Sequence, residues 1–369
     1  MALVNEILHI VADEAGMEQD ELVDECEFWD IGVDDILAKS IISRIHGSYQ
    51  IALPPTTFVD NPSVADLKIY LNKRVAVPQP QSKHGSGPSS ATKTEPLSLV
   101  LQGRPDTCQQ NLFLLPDGSG SAMAYARLPK LHKNVCLIAL NSPYLRAGTA
   151  VRFRVEEIAE LWATEIQRRQ PHGPYSLGGW SAGGYYAFEV SKSLIRRGGS
   201  VESLVLIDSP CRLVYEALPM EVVQYLSSND LMGNWGRKQP PDWLIDHFCI
   251  SIRAIEDYMP IAMTGPNIPN VCIIWAEKGL LESDEDPALI LDMSVKVTRM
   301  LIQRPYVSGA MGWEKLFPRA NLQVAKMPGN HFTIVYPPNV ESLGLLLRDV
   351  VSDKGQRQGQ WETLGADEV

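Results

Sequence analysis

The chain has 369 residues, 45% of them hydrophobic, and a formal net charge of −11. That length suggests about two domains, and the apolar share supports packed cores. The acidic balance argues against nucleic acid as a partner, because phosphate binding needs clustered Lys and Arg.

No apolar run approaches the ~18 residues a membrane span requires. The amphipathic, acidic start MALVNEILHIVADEAG also lacks the basic leader of a signal peptide. Six cysteines (Cys26, Cys108, Cys136, Cys211, Cys249 and Cys272) form neither a CxxC pair nor a zinc-like spacing with histidine. They read as thiols of a reducing compartment, so a cytoplasmic protein without a metal centre is expected.

In chain order, Val4, Ile7, Leu8 and Val11 repeat at helical spacing. A second helix is predicted to begin at Asp34 or Asp35, where acidic groups suit a helix N-terminus, and to turn Ile41, Ile42 and Ile45 inward. A last helix starts near Ser63, with Val64, Leu67 and Leu71 on one face. Residues 1–75 therefore read as a small all-α bundle. From 76 to 97 (AVPQPQSKHGSGPSSATKTEPL) the apolar periodicity gives way to Pro, Ser and Gly, the composition of a flexible linker.

Beyond the linker, strand and helix signals alternate, which implies an α/β fold on a mostly parallel sheet. Strands are predicted at 111–115 (NLFLL, ended by Pro-Asp-Gly), 135–140 (VCLIAL), 175–179, 204–207 and 271–275, with another apolar stretch at 322–327. Such continuous apolar runs suit strands covered on both faces. A helix over 156–169 places acids first and arginines last. Another follows strand 175–179 and ends at Gly198-Gly199. A segment rich in Trp, Tyr and Leu, at about 212–268, interrupts the alternation, and 352–369 is polar and aperiodic, read as a tail.

The chemical signal is Gly179-Trp180-Ser181-Ala182-Gly183, a G-x-S-x-G placed between a strand and a helix. A serine projecting from so tight a turn needs minimal side chains on either side. Serine also needs a base. Of the seven histidines only His331, after Pro328-Gly329-Asn330 and late in the chain, follows the order Ser, acid, His on a loop after the last strand. Asp208, which closes the strand 204–207, is favoured as the acid because strand C-termini gather at the active edge of an open sheet. Glu277, Asp284 and Asp286, one strand later, remain alternatives. Backbone N–H donors for an oxyanion are expected from Ala182 and from Asp117 and Gly118 in the Asp117-Gly118-Ser119 loop.

At these residues the chain resembles the thioesterase domains that end fungal non-reducing polyketide synthases. The matching segments are LFLLPDGSGSA (112–122), GPYSLGGWSAGGYYAFEV (173–190), LVLIDSP (204–210) and GNHF (329–332). The resemblance implies an α/β-hydrolase fold over 98–351 with a helical lid at about 212–268, and it places the acid at Asp208. It also implies release of a polyketide from a phosphopantetheine thioester by hydrolysis, Claisen cyclisation or lactone formation. WDIGVDDILAKSIISRI (29–45) resembles an acyl carrier domain, in which the attachment serine follows G-V-D. Here Asp35 stands in its place, and Ser40, more than a turn further on, is a poor substitute. No covalently bound cofactor is therefore expected. With Met1 opening directly into this domain, a free-standing protein is expected, acting in trans on a polyketide thioester carried by a synthase's carrier domain. A general esterase of the same fold and a non-catalytic docking protein are the rival readings.

Overall fold

The computed structural model describes residues 2–75 apart from scattered loop positions between 16 and 55, then 96–232 apart from 106 and 230, 242–281, 291–305, 309–352 and 358–364. The described residues form two units, divided between Thr94 and Glu95. The division falls inside the expected linker, of which 76–95 lie outside the described residues.

The first unit contains helices α1 (Ala2–Ala15), α2 (Asp35–Tyr49), α3 (Thr57–Asp60) and α4 (Val64–Val75). Ile7, Val11, Ile41, Ile45, Val64 and Leu67 are fully buried in its core. Ile42 is only partly buried, because residues four apart share a helix face while the next residue points about 100° away. The single turn α3 is too short to carry a period. Its Phe58 meets Phe28 edge-on at 4.9 Å.

In the second unit the described strands form one sheet. They are β1 (Ser98–Gln102), β2 (Gln110–Leu115), β3 (Val135–Leu140), β4 (Tyr175–Trp180), β5 (Val201–Ile207), β6 (Asn270–Lys278), β7 (Leu322–Asn330) and β8 (Glu362–Leu364). Their order is β1-β3-β2-β4-β5-β6-β7-β8. The pairs from β3 through β7 are parallel, while β1 and β8 add antiparallel edges. The apolar runs β3 and β4 are buried along their whole length, as strands covered on both faces must be.

Neither edge strand stands out in the sequence, because each is short and half-exposed. The expectation of a structureless tail fails at 362–364. The Asp349 carboxylate accepts N–H groups from Gln358 (2.8 Å), Gly359 (2.7 Å) and the Trp361 indole (2.9 Å), which seats the segment so that Leu364 pairs with Leu322.

Helices α5 (Val155–Arg169), α6 (Ala182–Arg196), α9 (Lys296–Ile302) and α10 (Asn339–Val351) accompany the sheet, and the insertion contributes α7 (Met220–Ser228) and α8 (Asp242–Glu256). The chain leaves β2 for β3 on one side and then crosses to β4 on the other, before continuing to β5. The sheet therefore has its topological switch between β2 and β4, where open α/β sheets bind ligands beyond the strand C-termini. Among the described residues no helix is long and apolar enough to cross a membrane.

Candidate active site

Ser181 joins β4 to α6 with φ +58° and ψ −122°. A non-glycine residue there stores about 1–3 kcal/mol of strain and persists only where its surroundings over-determine it. Here Ser181 N–H donates to Ile207 O at 2.9 Å, and Gly184 N–H donates to Ser181 O at 3.1 Å. The preceding Trp180 N–H donates to the Tyr125 hydroxyl at 2.8 Å, which in turn donates to Leu115 O at 2.6 Å, tying the ends of β2 and β4 together. The glycines are required by backbone crossing: a Cβ on Gly179 would stand 2.1 Å from Gly183 O, and one on Gly183 would stand 2.7 Å from Leu115 O.

The structure brings Ser181, His331 and Asp208 together across 150 and 123 residues of chain. His331 Nε2 lies 3.0 Å from Ser181 Oγ, and His331 Nδ1 lies 2.7 Å from Asp208 Oδ2. His331 follows β7 directly, and its ring is flanked by Trp180 and Phe332 at centroid distances of 5.4 and 5.0 Å.

Asp208 is fully buried, with φ +46°. Its N–H donates to Ile274 O at 2.7 Å, and its Oδ1 accepts Ala276 N–H at 3.0 Å. Oδ2 also accepts Arg304 Nη2–H at 2.6 Å, from a guanidinium as buried as the carboxylate. Burial alone would raise the carboxyl, but Arg304 and His331 together hold it well below the usual carboxylate range. Sequence reasoning missed Arg304, since a lone Arg between segments carries no motif. Of the alternative acids, Glu277 is exposed on β6, and Asp284 and Asp286 lie outside the described residues.

Beside the serine, Ala182 N–H has no hydrogen-bond acceptor among the described residues, as expected of the first residue of a helix. Gly118 N–H, on the turn after β2, likewise has none. Asp117 is buried, and its carboxyl accepts the Ser119 hydroxyl. That bond frames the turn, on which Asp117 N–H, like Gly118 N–H, has no backbone acceptor among the described residues. Burial outweighs that hydrogen bond and pushes the Asp117 carboxyl up to about 7.

A carboxyl raised above its unfolded value binds its proton more tightly when folded, so its contribution is full below about pH 4 and is lost as pH rises toward 7. Asp117→Asn should therefore flatten that decline. Thermal midpoints of both proteins from pH 4 to 8 check this, and parallel curves would refute it.

Residues 110–219 match the family described as thioesterase domain, and the unit that carries this arrangement has the α/β sheet fold of such domains. Residues 5–71 match the phosphopantetheine attachment site family. The chain is 36% identical to the non-reducing polyketide synthase terA of Aspergillus terreus, over 92% of this chain and 18% of that one. It is 32% identical to the norsolorinic acid synthase stcA of Emericella nidulans, over 92% and 16%. It is thus homologous to the carrier–thioesterase region of fungal non-reducing polyketide synthases, while spanning less than a fifth of the length of these relatives.

Among solved structures, a holo four-domain nonribosomal peptide synthetase, AB3403, shares the fold with a TM-score of 0.57 and 20% identity, over 92% of this chain and 25% of that one. The NocB thioesterase domain, in covalent complex with a fluorophosphonate nocardicin G analogue, gives a TM-score of 0.50 and 25% identity, over 68% and 97%.

The attachment-site match raises the question of whether this chain can hold a phosphopantetheine arm. Asp35 opens α2 at the position where the carrier pattern has its serine, and a carboxylate offers no hydroxyl to esterify. Ser40 Oγ, on the same helix, is part-buried and donates to Glu14 at 3.1 Å. The residues present do not fit the group.

Proposed function

We propose that this chain is a thioesterase that releases a polyketide acyl group from a phosphopantetheine thioester. The observation that carries the reading is the line from Ser181 Oγ through His331 to Asp208, at 3.0 and 2.7 Å, on a strained strand-to-helix turn. Ser181 Oγ attacks the thioester carbonyl as its proton passes to His331 Nε2. Asp208 holds the Nδ1–H tautomer and stabilises the imidazolium. The Ala182 and Gly118 N–H groups receive the developing oxyanion. The C–S bond then breaks, and the thiol leaves with the proton from His331. Water, or a nucleophile within the polyketide, opens the Ser181 ester with His331 again as base. The polyketide synthases among the relatives support the acyl class.

Asp35 supports action in trans, since the acyl chain then arrives on another protein's carrier. Intact-mass measurement after mixing with an aromatic polyketide thioester of pantetheine tests the chemistry. Acyl mass on the protein, or a released acid or cyclised product, supports the reading. A persisting thioester, together with a Ser181 that a fluorophosphonate fails to label, would sink it.

Asp35→Ser tests the carrier half. With coenzyme A and a phosphopantetheinyl transferase, the variant should gain the mass of the arm and the wild-type chain should not. An arm on the wild-type chain would overturn the in-trans reading.

A further inference from the structure

The Asp117–Gly120 turn is held by bonds from within it and from a neighbouring helix. The Ser119 hydroxyl donates to the Asp117 carboxyl. Asp117 O accepts Gly120 N–H at 3.0 Å, and Ser121 N–H donates to Ser119 Oγ at 3.3 Å. The Gly118 carbonyl takes both of its described donors from the inserted helix α8. His247 Nδ1 lies 2.9 Å from it and Ser251 Oγ 3.1 Å. Phe248 completes the seat, because a Cβ on Gly118 would stand 2.6 Å from its ring. The His247 ring covers Gly120 just as closely.

Glycine is the residue least able to hold its own backbone angles, so a glycine offering the oxyanion donor must have its peptides fixed from outside. Histidine is also a costly way to fill this space. His247 is buried, and its Nε2 has no partner among the described residues. Burial pushes its pKa down to about 4, so it is neutral near pH 7, and the Gly118 carbonyl then requires the proton on Nδ1. A leucine would fill the space without an orphaned nitrogen. What an imidazole supplies, and a leucine cannot, is the bond to Gly118.

We infer that His247 and Ser251 are positioning residues: through the Gly118 carbonyl they hold the turn so that Gly118 N–H faces the oxyanion, which makes oxyanion stabilisation depend on the seating of α8. This rests on the Ser181 chemistry proposed above.

The test compares wild type with His247→Leu, His247→Asn, Ser251→Ala and the double variant His247→Leu/Ser251→Ala. The measurements are kcat and KM on a pantetheine thioester, fluorophosphonate labelling of Ser181, and the thermal midpoint. His247→Leu should lower kcat about 10- to 100-fold, the scale of a misplaced catalytic group, with KM and the thermal midpoint held. Asparagine, whose amide N–H can occupy the Nδ1 place, should restore most of the rate, and the double variant should fall below either single one. Unchanged kcat in His247→Leu and in the double variant overturns the inference. So does a loss of rate that tracks a loss of stability and that asparagine does not rescue. A wild-type chain that neither labels nor turns over removes the Ser181 reading itself, and the inference falls with it.

Discussion

Ser181→Ala is expected to lower turnover of an acyl-pantetheine thioester by about a million-fold, the scale on which serine nucleophiles of this chemistry are lost. Some rate over the uncatalysed reaction, about 10³- to 10⁴-fold, should survive, because the Ala182 and Gly118 donors and substrate binding remain. Acyl mass on the protein and fluorophosphonate labelling should both vanish. Stability should barely change, since alanine keeps the Cβ that strains the turn at φ +58°. Ser181→Gly separates the two effects. It should be equally inactive, yet more stable by about 1 kcal/mol or more, because glycine adopts positive φ without that strain. Burst and steady-state kinetics with denaturant midpoints measure both. Residual acylation in Ser181→Ala would mean that another side chain attacks.

Asp208→Asn should lower kcat by about ten-thousand-fold, because neither amide orientation fits: with its oxygen at the Oδ2 place the NH2 meets the Ala276 N–H, and turned the other way the NH2 faces both Arg304 and His331 and favours the wrong tautomer. A second cost comes from Arg304. Its side chain is 2% exposed, and its partner carboxylate is fully buried at 2.6 Å. Removing one partner of such a pair leaves an uncompensated buried charge and costs about 3–5 kcal/mol. The double variant Asp208→Asn/Arg304→Met should recover much of the stability and none of the turnover. Urea unfolding and kcat on the three proteins decide the matter, and a rate retained in Asp208→Asn would return Glu277 to contention as the acid. The pH dependence has a definite sign. Because Asp208 is held below its unfolded value, its stabilisation is full above the ordinary carboxylate range and is lost progressively as pH falls through that range toward the lowered folded value.

Much of this molecule is legible from local pattern. The 3.6-residue period of Val4, Ile7 and Val11 foretells α1, and the unbroken apolar runs foretell β3 and β4, because those signals are set by which faces a single element buries. The serine turn is legible for the same reason: only glycine fits where Gly179 and Gly183 cross. The loss of the attachment serine at Asp35 is a property of one position and needs no fold to read.

Tertiary structure decided what depends on distant segments meeting. Order along the chain favoured Asp208, but its 2.7 Å approach to His331 depends on β5 and β7 flanking β6 in the sheet. Arg304 on Asp208, Tyr125 between β2 and β4, and α8 on Gly118 join residues 96, 55 and 129 positions apart. No periodicity spans such separations, and a lone Arg, Tyr or His has no motif to mark it. The edge strand β8 is the same case in miniature. Its three residues pair with β7 after the buried carboxylate of Asp349 gathers Gln358, Gly359 and Trp361, so a polar tail becomes a strand through a partner outside its own sequence.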